Sequence, residues 1–172
     1  MITTGSLISG LFRKRQLTGW ALRYIADSCR QNGNFYGVDL SPRMIDKANK
    51  NSEDHDNLHY IEANAEELPF ADNYFDKIIC TNSFHHYPDP GKAMWEINRI
   101  LKRPGRIYIL DVTADDLLIK WINRQVKQRE PAHVNFYSSK KYDDIFFSSG
   151  LYPVNHSRLF FYPLKMHVAE KL

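Results

Sequence analysis

Residues 75–111 read FDKIICTNSFHHYPDPGKAMWEINRILKRPGRIYILD. The run Phe75 to Thr81 holds Ile78-Ile79-Cys80, which predicts a short strand buried on both faces. Asp89-Pro90 then opens a helix in which Ala93, Met94, Ile97, Ile100 and Leu101 form one apolar face, and Pro104-Gly105 closes it. Ile107 to Leu110 is the next apolar run and ends at Asp111. A buried strand, a helix and another buried strand in succession predict a right-handed crossover onto a parallel sheet.

The same alternation extends outward. Upstream, Trp20, Ala21, Tyr24, Ile25 and Cys29 recur at helical spacing before the stop signal Asn32-Gly33. Phe35 to Val38 predicts a buried strand ending at Asp39. Ser41-Pro42 supplies an N-cap and a first-turn proline for a helix with Met44, Ile45 and Ala48 on its apolar face. His59 to Ile61 predicts a further strand. Downstream, helices are expected near Asp115 to Gln128 and Lys140 to Ser149, the second capped by Gly150. From Leu151 to Lys171 two extended stretches flank Phe160 to Pro163. A connection that short forces an antiparallel pair.

Composition narrows the function classes. The 172 residues suit one folding unit. Lys and Arg number 23 against 20 Asp and Glu, a mild net charge of +3 that argues against nucleic acid as an obligatory partner. Cys29 and Cys80 form no C-x-x-C pair, so reduced thiols in a cytoplasmic setting are expected. No apolar run reaches the roughly 18 residues needed to cross a bilayer, so no membrane partner is expected. The first 26 residues lack Asp and Glu and carry Arg13, Lys14, Arg15 and Arg23, as transit peptides do. The domain pattern already starts near Thr18, so residues 1–17 are expected to be an irregular N-terminal segment.

In an open α/β sheet, ligands bind outside the carboxyl ends of the strands. Asp39 stands at such an end, where a carboxylate can accept from both hydroxyls of a ribose. Three segments sharpen this: Gly37-Val38-Asp39-Leu40-Ser41, the stretch Glu62 to Asp76, and Asn82-Ser83-Phe84-His85-His86. Together with the helix Asp89 to Leu101 and the turn Lys102 to Arg106, they resemble the class I methyltransferases related to the ubiquinone/menaquinone biosynthesis enzymes, the type 11 domain. The resemblance runs from about Thr18 to Lys171.

It implies a Rossmann-like, doubly wound α/β fold over 18–172, with a mostly parallel sheet and an antiparallel C-terminal strand. It also implies S-adenosyl-L-methionine as methyl donor and a small-molecule acceptor. Asp39 would hold the ribose and Leu40 would lie against the adenine. Asn64 stands where the family usually has an aspartate that accepts from the adenine amino group, with Ala65 beside it. Asn82 and Ser83 would line the methionine end and the acceptor mouth. His85 and His86 are candidates for a general base, since their loop would border the acceptor. His55 and His59 lack a third ligand at a standard spacing, so no metal site is expected.

The pattern breaks at the N-terminus. The family opens on an apolar strand and a glycine loop, of which only Thr18-Gly19 remains here; Gly19 is the residue that would face the cofactor. Glycine matters there because backbone amides must approach the ligand without a Cβ in the way. The first strand is therefore expected to be absent or replaced and the domain incomplete. Segment Ser6 to Phe12, with Gly10 and two serines, is a poor central strand. Imperfect pairing of this segment, a homo-oligomer or partner chain completing the sheet, and a truncated product all remain open. So does a degenerate domain that binds a partner without turnover. A nicotinamide-dependent oxidoreductase would need G-x-G-x-x-G before the first helix, which the sequence lacks. Tyr74, Trp95, Trp121, Phe136 and Tyr137 are candidates for an acceptor pocket, and Trp121 to Tyr137 for its cap.

Overall fold

The computed structural model describes residues 4–9, 22, 24, 33–129, 135–158 and 163–172. Seven strands form one sheet: β1 (Thr4–Ser9), β2 (Gly33–Asp39), β3 (Leu58–Glu62), β4 (Phe75–Thr81), β5 (Leu101–Val112), β6 (Tyr152–Arg158) and β7 (Leu164–Lys171). Their order is β3-β2-β1-β4-β5-β7-β6. The first five are mutually parallel, and β7 runs antiparallel to both β5 and β6. Four helices are described between them: α1 (Pro42–Lys50), α2 (Pro90–Ile100), α3 (Leu117–Arg129) and α4 (Ser139–Ser148). This is the doubly wound α/β architecture expected from the alternation of apolar runs.

β1 corrects the reading of the N-terminus. Thr4–Ser9 lies inside the stretch expected to be irregular, yet it fills the centre of the sheet. Its residues pair with Gly33 to Val38 on one side and Lys77 to Cys80 on the other. The central position is thus filled from within the chain, by a segment with Gly5, Ser6 and Ser9 in place of an apolar run. Ladder hydrogen bonds to two neighbours compensate for weak strand propensity, which is largely a matter of context.

Side chains alternate between the two faces of the sheet. On the first face Val38, Ile78, Cys80, Ile107 and Ile109 pack against Met94, Ile97 and Ile100 of α2 and Tyr142, Ile145 and Phe146 of α4. On the second, Phe35, Leu58 and Tyr60 pack against Ile45 and Ala48 of α1 and against Leu22. Of the helix expected over 20–30, Leu22 and Tyr24 are described and both are helical. Leu22 is fully buried, whereas Tyr24, read as part of the apolar face, is exposed. Gly37 allows this face to close, since a Cβ there would stand 2.6 Å from Tyr60 Cδ1 and 3.3 Å from Leu22 Cδ2.

Helix ends follow local chemistry. Asp89 caps α2 by accepting from the Lys92 backbone N–H at 2.9 Å, and Ser138 caps α4 by accepting from Lys141 N–H at 3.2 Å. Ser41 does not cap α1 with its side chain. Gly150 ends α4 at φ +78°, the left-handed region that suits glycine. Pro104-Gly105 does not close α2: the helix stops at Ile100 and both residues lie within β5. The carboxyl end of α2 is closed instead by buried Lys171, whose ammonium donates to the carbonyls of Asn98 and Leu101 at 2.6 and 2.8 Å and to Asn73 Oδ1 at 3.1 Å. Cys80 is buried and is not part of a disulfide. Among the described residues no helix is long and apolar enough to cross a membrane.

Candidate active site

Strand order reverses between β1 and β4, and the crevice beyond their carboxyl ends is where such sheets bind ligands. Ser9, the last residue of β1, sits level with Val38 and Cys80, so Asp39 and Thr81 each stand one residue beyond that level. Asp39 is half-buried, and its Oδ1 accepts from the Ser41 backbone N–H at 2.8 Å. That bond engages one carboxylate oxygen, and Oδ2 has the lone pairs to accept from a further donor. Beside it Leu40 is 70% exposed, an apolar surface at the mouth of the crevice.

At the end of β3, Ala63 N–H donates to the Asp39 carbonyl at 3.2 Å, tying the two strand ends together. Asn64 Oδ1 accepts from Glu66 N–H at 3.0 Å and the Asn64 carbonyl from Glu67 N–H at 3.0 Å. This turn holds the amide in place, and the second lone pair of Oδ1 keeps acceptor capacity. Ala65 is half-buried in the same turn. Asp39, Leu40, Asn64 and Ala65 thus share one corner of the crevice. Gly19 lies outside the described residues.

The opposite corner is built by β4 and β5. Asn82 turns the chain at φ +47°, a left-handed conformation that asparagine tolerates better than most residues, and its N–H donates to the Leu110 carbonyl at 2.8 Å. Ser83 Oγ lies 3.1 Å from Cys80 Sγ and 3.3 Å from Tyr87 Oη. Phe84–His86 then form one 3-10 turn, with Phe84 fully buried beneath it.

That turn delivers His85 to Asp111. The His85 backbone N–H donates to Asp111 Oδ2 at 3.1 Å, and ring Nδ1 lies 2.6 Å from Oδ1, which also accepts from Val112 N–H at 2.7 Å. Asp111 is 0% exposed, so these donors offset the loss of its hydration. A carboxylate has no proton to give; His85 Nδ1 is therefore the donor, and the neutral ring carries its lone pair on Nε2. The His86 ring lies tilted against it, with centroids 4.0 Å apart.

Residues after α3 cover this corner. Asn135 N–H donates to the His85 carbonyl at 3.1 Å, the Phe136 ring stands 5.1 Å from the His85 ring, and Asn123 Oδ1 accepts from Phe136 N–H at 2.9 Å. Tyr137 packs against Phe84 and Tyr142. Of the aromatic pocket candidates, Phe136 and Tyr137 reach the corner, whereas Tyr74, Trp95 and Trp121 are exposed. His55 pairs with Asp54 and His59 packs on Tyr36, both away from these strand ends. Sequence reading missed Asp111 as a site residue, although an acid closing the buried run Ile107 to Leu110 was the available signal.

A methyltransferase domain model matches residues 17–109, more than half of the chain. The chain belongs to the methyltransferase domain family. Within it, the chain is 33% identical over 119 residues to the uncharacterized methyltransferase YcgJ of Bacillus subtilis, covering 67% of this chain and 47% of YcgJ. It is 36% identical over 84 residues to the ubiquinone/menaquinone biosynthesis C-methyltransferase UbiE of Proteus mirabilis, covering 47% of this chain and 34% of UbiE. The crystal structure of YcgJ from Bacillus subtilis superposes with a TM-score of 0.76 at 26% identity, over 91% of this chain and 66% of that one. The chain thus spans about half or less of the length of these curated relatives. The class I methyltransferases use S-adenosyl-L-methionine as methyl donor, and the donor set at β2 and β3 fits its adenosine half. A carboxylate suits the ribose hydroxyls, an exposed leucine an adenine face, and an amide oxygen an exocyclic amine.

Proposed function

We propose that the chain binds S-adenosyl-L-methionine across the carboxyl ends of β1 to β4 and transfers its methyl group to a small-molecule acceptor in the cytoplasm. The observation that carries this reading is the division of the crevice into two corners. Asp39, Leu40, Asn64 and Ala65 stand on one side of the strand-order reversal, and Asn82, Ser83 and the His85–Asp111 pair on the other. Cys80 as a buried thiol outside any disulfide suits a reducing compartment.

The cofactor supplies an electrophilic methyl group when bound. Asp39 would hold the ribose hydroxyls through Oδ2, Leu40 would cover the adenine, and Asn64 Oδ1 would accept from the adenine amine, with Ala65 beside it. Asn82 and Ser83 would line the methionine end, to which the family resemblance also assigns Gly19. The acceptor lies toward Phe136 and Tyr137. His85, held by Asp111 in the tautomer with its lone pair on Nε2, takes the proton that the acceptor loses on methylation, and His86 borders the same mouth. Most of the rate enhancement in such a transfer comes from alignment of the reacting atoms.

Calorimetric titration of the full chain with S-adenosylmethionine and S-adenosylhomocysteine tests this reading. Micromolar binding is expected, weakened at least about tenfold by Asp39→Ala through loss of the charge-assisted ribose contacts. A folded chain that binds neither compound would sink the reading in favour of a non-catalytic domain acting through a partner, to which the reduced glycine loop also points.

A further inference from the structure

A second set of titratable side chains lies on the first face of the sheet, behind the crevice. His156 on β6 and His167 on β7 meet Nδ1 to Nδ1 at 2.7 Å. His156 Nε2 lies 2.8 Å from Asp143 Oδ1 of α4, and His167 Nε2 lies 2.8 Å from Thr113 Oγ1 at the end of β5. Thr113 Oγ1 is also 3.4 Å from the Asp111 carbonyl. The row runs inward from solvent: the Asp143 and His156 side chains are 34% and 22% exposed, while His167 is fully buried under the Tyr142 ring at 3.9 Å.

Hydrogen-bond chemistry assigns every proton in this row. Asp143 is an acceptor, so His156 carries its proton on Nε2 and offers a lone pair at Nδ1. His167 must then donate from Nδ1, which leaves Nε2 to accept the Thr113 hydroxyl proton. If the pair gains one proton from solvent, both His156 nitrogens carry hydrogen. The two Nδ1 atoms at 2.7 Å cannot both donate, so His167 must move its own proton to Nε2. Thr113 Oγ1 then accepts from His167, and its hydrogen turns to the Asp111 carbonyl. The count closes, with one proton taken up, His167 neutral before and after, and one hydroxyl reversed.

We propose that Asp143, His156, His167 and Thr113 form a proton-operated switch that couples acidification at the outer edge of the sheet to the backbone of Asp111, the residue that holds His85. The groups facing the imidazoles suit this role. Asp143 and Tyr142 approach from α4, and Thr113 and Asp115 from the end of β5 and the loop after it. Lys165 on β7 is bound to Asp115, so that neighbouring charge is already paired. Burial, reinforced by His156, holds His167 down to about 3, against the opposing pull of Asp115, which keeps it neutral in both settings.

Histidine ring 15N spectra of the full chain, recorded from pH 8 downward with the backbone amides of Asp111, Thr113 and His85, test the switch without any assay of turnover. At pH 8 His156 is expected as the Nε2–H form and His167 as the Nδ1–H form. As the pair takes up its proton, His167 is expected to invert to Nε2–H, with the Asp111 and Thr113 amides shifting at the same midpoint. Thr113→Val removes the acceptor that the inverted ring needs, and is expected to lower that midpoint by about one pH unit, a tenfold loss of proton affinity. His156→Gln is expected to abolish the inversion. A His167 that stays Nδ1–H while His156 charges, or a Thr113→Val midpoint unchanged in a folded protein, would overturn the proposal.

Discussion

Among the described residues, the two faces of the sheet are built differently. On the first, eighteen buried residues from β2, β4, β5, β7, α2, α4 and the loops between them form one cluster. On the second, the described cluster has six, around Leu22, Phe35, Ile45, Ala48, Leu58 and Tyr60. The larger face also contains four of the described buried polar groups, His85, Asp111, Thr113 and His167, which are hydrogen-bonded in two pairs. Its apolar mass offsets the desolvation of those groups. On the smaller face the described buried polar residue is Ser52, whose hydroxyl lies 3.0 Å from Tyr60 Oη, and the face closes by close approach of side chains over Gly37.

This contrast can be broken at several points. Phe146→Ala, at a fully buried position of the larger cluster, is expected to cost about 3–5 kcal/mol by urea denaturation. A loss below about 1 kcal/mol would mean that this face does not dominate stability. Next comes pH. His167 has its folded-state pKa lowered from 6.5 to about 3, chiefly by burial, so the unfolded chain binds the proton more tightly. Its contribution is complete above pH 6.5 and is lost as the pH falls toward 3, by about 1.4 kcal/mol per unit at most. His167→Phe should flatten the decline in stability between pH 7 and pH 5, before most carboxylates titrate.

On the second face, Gly37→Ala is expected to cost about 1–3 kcal/mol, because Tyr60 and Leu22 must shift to admit the Cβ. Pairing it with Tyr60→Leu should recover part of the loss if the clash is the cause. The smallest effect is Ile45→Val, about 0.5–1.5 kcal/mol at a position 8% exposed. An Ile45→Val loss equal to that of Phe146→Ala would remove the distinction between the faces.

The sequence was most readable where one physical signal dominated. Phe75 to Thr81 and Phe35 to Val38 are apolar runs, and they became β4 and the heart of β2. β1 was unreadable for the converse reason: Gly5, Ser6 and Ser9 carry no strand signal, and the segment is a strand because two neighbours supply its hydrogen bonds. Pro104-Gly105 looked like a helix stop, yet α2 ends earlier, where Lys171 gathers its last carbonyls from far away in sequence.

In the candidate site, Asp39 could be placed at a strand end from the alternation of elements, and the family resemblance added Asn64, Asn82 and His85. The role of Asp111 could not, because it depends on the 3-10 turn that swings His85 across β5. His156 and His167 pair through the register of the terminal hairpin, which shifts between Pro153 and Asn155. No periodicity announces such a shift.

The place of β1 also constrains the order of events in folding. Ser6 stands level with Phe35 on one side and Lys77 on the other. The centre of the sheet therefore cannot be sealed until the chain through β4 has been made and a long loop has closed. Until then β2 and β4 each present an open strand edge to any other chain that collides with them. β1 thus waits for a strand made well after it, and the interval before it docks is when the protein is most open to mispairing.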